Sequence, residues 1–301
     1  MSRTVTVGLD GSPESRAAVE WAAREALLRG LPLKIVYVSE PMPRFVARTP
    51  LLDTATYRQW AEQLTHESAE GVRLRHPGIE VTTEQLTGTV ADILCEAAGS
   101  AELLVMGSRG LGKFEGFMVG SASLAVVARA ERPVVLVRAG EQAADEHRMD
   151  PTGVPSAATP YRSVVLGLDT EHPDDTLLAF AFDAAARRKA PLRAVAVWPE
   201  PPTSFYRFPG DAELYDSLER EHAAALTDVL GSWRQKFQGV EVVEASRCGS
   251  AGQVLVNASR DASLAVVGRR VRTRSLGAHI GHVTQAALHH VTAPVAVVAH
   301  G

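Results

Sequence analysis

Glycines and a helix start are grouped in one stretch of the sequence, residues 102–123. A short apolar strand ends at Gly107, and a helix is predicted to begin at Ser121. The glycine spacing between them is Gly107-x2-Gly110-x9-Gly120-Ser121. Glycine permits positive φ and a close approach to the backbone, so the N–H groups of such a loop can surround an anion. The helix start adds unpaired N–H donors, and the stretch is therefore predicted to bind phosphate.

Two other interpretations of this loop stay open. The run Gly107-x4-Gly112-Lys113 resembles a Walker loop, but Phe114 stands where a serine or threonine would hold magnesium, and the helix begins later than the lysine. The loop could also be a glycine-rich surface loop without a ligand. Arg109 and Lys113 favour the phosphate interpretation because they add mobile positive charge.

Strands and helices alternate through the first half of the chain. The strands are predicted at 5–9, 33–38, 79–86, 103–106 and 134–137, and the helices at 13–29, 53–75, 91–98 and 121–130. Continuously apolar strands in such an alternation favour a parallel sheet that is covered by helices on both faces. Ligands of these open sheets bind beyond the carboxyl ends of the strands, where the strand order reverses.

If the strand order is 3-2-1-4-5, the reversal lies between strands 1 and 4. The loops that follow these strands begin at Asp10 and Gly107, so both are expected to meet in one crevice. Asp10 can accept hydrogen bonds from ribose hydroxyls or an adenine amino group, and it can also cap the following helix. Val38, at the end of strand 2, could offer its backbone N–H and C=O groups to a base edge.

The second half repeats the first. Gly107 aligns with Gly268 and Gly120 with Gly281, at a constant offset. A polar segment rich in Glu, Asp, Pro, Thr and Ala separates the copies and is predicted to be a linker. The expected organisation is a first domain at 1–139, a linker at 140–160 and a second domain at 161–301.

The copies differ where phosphate would bind. Gly110 has become Val271, Ser121 has become His282, and Glu171 introduces an anion. Because a β-branched residue resists positive φ, the second site is predicted to bind triphosphate weakly or not at all. Arginines in its loop could hold a different anion or form a solvated basic surface. These arginines are Arg269, Arg270, Arg272 and Arg274.

Composition limits the remaining function classes. A chain of 301 residues with 46% hydrophobic residues suits two domains with cores of their own. The net charge of −4 argues against a nucleic-acid partner. Two separated cysteines favour a reduced, cytoplasmic protein without a disulfide framework. We expect no membrane span, since no apolar run is long enough, and no metal site formed by clustered histidines and cysteines.

These motifs resemble the universal stress protein family, in its tandem two-domain type. The resemblance rests on Val7-Gly-Leu-Asp-Gly-Ser12, on Ser15, Ala18 and Trp21, and on the glycine spacing from Gly107. It covers nearly the whole chain. It implies an ATP-binding α/β domain of five parallel strands, dimerisation through the last strand, and a role in stress or dormancy regulation.

The resemblance also implies the roles of individual residues. Asp10 and Val38 would hold the adenosine, and the loop and helix start from Gly107 to Ser123 would hold the phosphates. The complete candidate set is Gly8, Leu9, Asp10, Val38, Met106, Gly107, Arg109, Gly110, Gly120, Ser121, Ala122 and Ser123. A second, weaker or lost site would comprise Asp169, Val197, Gly268 and Gly281.

The final strands, 134–137 and 295–298, are apolar runs expected at sheet edges. Because bare edges invite aggregation, we expect them to pair with each other, antiparallel, as a pseudo-dimer within the chain, and a homodimer of the whole chain stays open. The favoured function is a non-enzymatic ATP sensor, with or without Mg²⁺, that signals to a regulatory protein. The alternatives are a slow ATPase that uses Glu115 and a scaffold with a structural nucleotide.

Overall fold

The computed structural model describes residues 3–40, 54–108, 119–200, 211–271 and 280–301. Its contacts divide the chain into two compact units, and the boundary falls between Gln142 and Ala143.

The first unit alternates strands and helices as predicted. Its elements are β1 (Val5–Leu9), α1 (Pro13–Arg29), β2 (Leu33–Ser39), α2 (Thr54–Arg75), β3 (Val81–Thr87), α3 (Val90–Ser100), β4 (Leu103–Ser108), α4 (Ser121–Arg129) and β5 (Val134–Arg138). The strands form a parallel sheet in the order β3-β2-β1-β4-β5. The predicted order and the reversal between β1 and β4 are confirmed.

The second unit repeats this topology. Its elements are β6 (Ser163–Leu168), α5 (Asp175–Arg188), β7 (Leu192–Trp198), α6 (Asp211–Lys236), β8 (Val242–Cys248), α7 (Ala251–Ala258), β9 (Ala262–Arg270), α8 (His282–His290) and β10 (Val295–His300). The strand order is β8-β7-β6-β9-β10, again parallel throughout.

Helix α1 shows why local sequence produces this fold. The Ser12 hydroxyl caps its first turn by accepting from the Ser15 amide at 3.2 Å, and a proline occupies the first turn. Gly30 ends the helix with a left-handed φ of 64°. Trp21 and the alanines around it are almost completely buried in the core of the first unit. Burying this one indole side chain contributes roughly 2–3 kcal/mol.

The segment assigned to a linker has packed contacts within the second unit. Residues 143–146 form a 3₁₀ turn, and an antiparallel bridge joins His147 to Tyr161. The Glu146 side chain is buried, with its carboxylate 3.9 Å from the Arg188 guanidinium, which is also buried. Most of this segment therefore belongs to the fold of the second unit.

Among the described residues, no helix has the length and apolar character that crossing a bilayer requires. Cys95 and Cys248 are each partly buried.

Candidate functional site

A cavity of about 200 Å³ lies at the carboxyl ends of β1, β2 and β4 in the first unit. This cavity is lined by every candidate residue of the first nucleotide site that lies within the described part of the chain. These are Gly8, Leu9, Asp10, Val38, Met106, Gly107, Gly120, Ser121, Ala122 and Ser123. Arg109 and Gly110 lie outside the described residues, as do Lys113 and Glu115.

A compact turn holds Asp10 at the end of β1. Its Oδ1 accepts from the Ser12 amide at 2.9 Å, and its own amide donates to the Ser15 hydroxyl at 3.3 Å. The Ser15 hydroxyl in turn donates to the Ser12 carbonyl at 3.1 Å. Gly11 takes a φ of +84°, which a side chain would strain. The carboxylate is therefore positioned before any ligand arrives.

Gly107 lies against the first turn of α1. A methyl group on its Cα would come within 2.7–2.8 Å of backbone atoms of Glu14 and Ser15 and of the Glu14 Cβ. The absence of a side chain at this position is what allows α1 and the end of β4 to meet. This glycine serves close packing between two backbones, which is a different role from the close approach to an anion predicted for it.

The start of α4 supplies the backbone donors of the cavity. Its first intrahelical bond runs from the Leu124 amide to the Gly120 carbonyl at 2.9 Å, so the amides of residues 121–123 have no acceptor within the helix. Gly120 is the N-cap and provides no side-chain hydrogen bond. An anion at this point would accept from these amides and would lie at the positive end of the helix dipole.

The sequence predicted that Ser123 would hold a phosphate, but its side chain bonds to the protein backbone. Its buried hydroxyl donates to the Gly107 carbonyl at 3.1 Å and so ties α4 to the end of β4. In the second unit Thr284 makes the equivalent bond to the Gly268 carbonyl at 2.8 Å. The hydroxyl at this position therefore fixes the helix start relative to the strand.

Sequence reasoning missed several residues that line the cavity. Glu14 is the important one, because it is a second acidic residue in the lining of the cavity that Asp10 also lines. An acidic residue in the first turn of a helix is usually explained by the helix dipole, so only its position facing β4 reveals this role. The other missed lining residues are Ser12, Ser15, Val36, Val90 and Leu94.

A cation lies beside the end of β4 in the described part of the first unit. Arg138 ends β5 and pairs in register with Ser108, whose hydroxyl donates to the Val137 carbonyl at 3.2 Å. Burial lowers the pKa of Arg138 to about 10. The guanidinium therefore stays charged at neutral pH.

The second unit has its own cavity, of about 580 Å³, in the corresponding place. All four candidate residues of the second site, Asp169, Val197, Gly268 and Gly281, line it. Asp169 repeats the turn of Asp10, since its Oδ1 accepts from the Glu171 amide at 3.1 Å.

Family comparison explains why both units carry the same crevice. The model of the universal stress protein family matches residues 1–138 and again residues 160–299. The chain belongs to the universal stress protein family. Its two matches establish the tandem arrangement that the sequence repeat predicted.

Relatives of this universal stress protein extend over nearly its full length. A universal stress protein of Mycolicibacterium smegmatis is 30% identical over 300 residues, which cover 98% of this chain and 96% of the relative. One from Mycobacterium tuberculosis is 29% identical over 97% of this chain and 96% of its own. The crystal structure of a universal stress protein from Archaeoglobus fulgidus shares the fold, with a TM-score of 0.68, 18% identity and complete coverage of both chains.

Proposed function

We propose that the first unit binds an adenine nucleotide, ATP in particular, and that the protein acts as a nucleotide-dependent regulator of the stress response. The observation that carries the proposal is the convergence, in one cavity, of a preorganised carboxylate and helix amides that have no acceptor within their helix. Asp10 would accept from the sugar hydroxyls or the adenine amino group. The amides of residues 121–123 would donate to phosphate oxygens.

The described residues suit the sugar and the phosphate attachment point of a nucleotide. The cavity of about 200 Å³ is smaller than the roughly 300–1,000 Å³ of sites that enclose a whole drug-sized ligand. Part of a nucleotide would therefore lie outside it. Val36, Val38 and Leu94 give an apolar wall on which a base or sugar face can pack.

Glu14 makes a divalent cation part of the proposal. A carboxylate in the same cavity repels a polyphosphate unless a cation lies between them. Magnesium prefers one or two carboxylates together with phosphate oxygens, and Glu14 with Asp10 offers this donor set. We expect Mg²⁺ to strengthen ATP binding. Replacing Glu14 by glutamine would reduce that dependence.

Isothermal titration of the full chain with ATP tests the proposal, and Asp10→Asn is the diagnostic variant. Asparagine keeps an oxygen that can accept from the Ser12 amide, and it replaces the charge and the second acceptor oxygen by a neutral NH2 donor. We expect affinity to fall about 10- to 100-fold, the usual effect of losing a hydrogen bond to a charged group. The matched control is Asp169→Asn, which changes the same turn in the second unit and is expected to leave ATP affinity unchanged.

Two results would contradict the proposal. One is the absence of any heat of binding for ATP with the unmodified chain, with and without Mg²⁺. The other is equal loss of affinity in Asp10→Asn and Asp169→Asn, since the predicted asymmetry between the sites would then be wrong. Measuring ADP release in the same samples separates a sensor from a slow ATPase.

A further inference from the structure

The cavity of the second unit differs from that of the first in its walls, its donors and its size. It has a volume of about 580 Å³, against about 200 Å³, within the range of sites that enclose a small molecule.

An aromatic wall closes one side of this cavity. The Trp198 indole and the His222 imidazole both line it, and they stack with planes 9° apart and centroids 5.0 Å apart. Tyr215 packs against the same indole at 5.3 Å. Ser39 takes the place of Trp198 in the first unit, since the carbonyl of each accepts from the glycine that follows the neighbouring strand, Gly88 or Gly249. A flat aromatic surface favours planar ring ligands.

The indole nitrogen of Trp198 adds an independent observation. The residue is 4% exposed, and its Nε1 has no hydrogen-bond partner among the described residues. Buried donors normally find an acceptor, and each exception calls for an explanation. A ligand acceptor would satisfy this donor only by approaching within hydrogen-bond distance of Nε1.

In the second unit, a backbone amide that a phosphate-binding loop would use is already hydrogen-bonded within the sheet. The amide of Val271, the counterpart of Gly110, donates to the His300 carbonyl at 2.7 Å. Strand β9 accordingly pairs with β10 as far as Arg270. An amide bonded within the sheet cannot also donate to a phosphate oxygen. This geometry disfavours a triphosphate.

Donors for one smaller anionic group remain. The first intrahelical bond of α8 runs from the Gln285 amide to the Gly281 carbonyl at 2.9 Å, so the amides of residues 282–284 have no acceptor within the helix. Arg270 is exposed at the same cavity and His282 begins the helix. A single carboxylate or phosphate monoester matches this set, because charge-assisted bonds from an arginine and a helix start would hold it.

We propose that the second unit binds a planar aromatic small molecule carrying a single anionic group, and that it rejects nucleoside triphosphates. The ring packs on the Trp198–His222 wall. The anionic group lies at the start of α8 beside Arg270. The two units of the chain therefore take ligands of different chemistry on the same fold.

The test uses the full chain and follows its indole N–H signals by heteronuclear NMR. The probes are benzoate, 2-naphthoate and indole-3-acetate at up to about 10 mM, above the Kd of a weak ligand. We expect at least one of them to shift the Trp198 signal saturably, while the signals of Trp21 and Trp233 stay in place. Trp198→Phe assigns the signal by its disappearance.

Two variants distinguish the proposed contacts from nonspecific binding of the probe. Arg270→Ala changes an exposed side chain, so it should fold normally, and we expect it to raise the probe's Kd about tenfold through loss of one charge-assisted bond. Ser121→Ala changes the residue at the position of His282 in the first unit and should not alter the probe's Kd.

Three outcomes would overturn the proposal. They are no shift of the Trp198 signal with any probe, an unchanged Kd in Arg270→Ala, and tighter binding of ATP than of the probes at the Trp198 signal. Each is distinguishable from failure of the first site, because ATP binding to the first unit is read separately through its loss in Asp10→Asn.

Discussion

Replacing Gly107 by alanine places a methyl group where the first turn of α1 already lies. The new carbon would be 2.7 Å from the Glu14 carbonyl carbon and 2.8 Å from the Ser15 nitrogen. Both are backbone atoms, so no side-chain rotation relieves the contact. The helix start or the end of β4 has to move by several tenths of an ångström. Overpacking of this kind costs roughly 1–3 kcal/mol of unfolding free energy.

The displacement would reach the candidate site directly. The turn that moves contains Ser15, whose hydroxyl accepts from the Asp10 amide at 3.3 Å. A shift of this turn changes the position of the Asp10 carboxylate relative to α4. We therefore expect Gly107→Ala to lower nucleotide affinity at least about tenfold in addition to destabilising the first unit, since misplacing one contact by part of an ångström weakens a charged hydrogen bond.

The second unit offers a matched control at Gly268. A methyl group there would lie 2.6 Å from Nε2 of His300, at the far end of a side chain, and 3.2 Å from a Leu177 methyl group. The imidazole can rotate or move aside, whereas the backbone of α1 cannot. We expect Gly268→Ala to cost less than about 1 kcal/mol, although it changes the same position of the same fold.

Hydrogen exchange measured by mass spectrometry is the appropriate assay, because a chain of two units need not unfold in one step. Peptides from β1 and α1 should exchange faster in Gly107→Ala, by the factor of about 5–150 that corresponds to 1–3 kcal/mol. Peptides from β6 and α5 should change little in Gly268→Ala. Unchanged exchange in β1 and unchanged nucleotide affinity in Gly107→Ala would refute the packing role of this glycine.

Two further side chains give predictions of their own. Ser123→Ala leaves the Gly107 carbonyl without its hydroxyl donor and should reduce unfolding free energy by about 1–2 kcal/mol in urea titration; no change would show that the bond is dispensable. Burial raises the pKa of Glu20, but hydrogen bonds from Arg75 and His76 outweigh it and hold the pKa below 4.5. The native state therefore gains stability above about pH 4.5 and loses it as the pH falls through the lowered pKa. Glu20→Gln should cost up to about 1 kcal/mol at pH 7 and nothing at strongly acidic pH, and a constant difference at all pH values would contradict this.

Local chemistry accounts for the parts of the fold that could be predicted. Ser12 and Pro13 mark the start of α1 and Gly30 marks its end, and each does so through a cap that involves only neighbouring residues. The meeting of Asp10 and Gly107 followed from topology, because parallel strands end at the same edge of a sheet. The cavity residues recognised from the sequence are those at the strand ends and at the start of α4.

The face that a helix turns toward a strand, and the burial of a charged side chain within an apparent linker, could not be predicted in this way. Glu14 enters the cavity because α1 presents that face to β4, and the sequence pattern records only that the residue lies in a first turn. Glu146 belongs to a segment whose composition is typical of a linker, and yet its side chain is buried beside Arg188 of α5. Both depend on contacts between residues distant in sequence, which propensity and periodicity do not encode.

One backbone amide distinguishes the second cavity from a phosphate-binding crevice. In the first unit the sequence that follows Ser108 is rich in glycine. In the second unit β9 continues to Arg270, and the Val271 amide still bonds to β10. Valine at this position favours extended backbone, so it stabilises the conformation that holds its amide against β10 at the expense of an anion-binding turn. The change from glycine to valine thus accounts physically for one amide that is bonded within the sheet, and the amides at the start of α8 are left as the backbone donors of the second cavity.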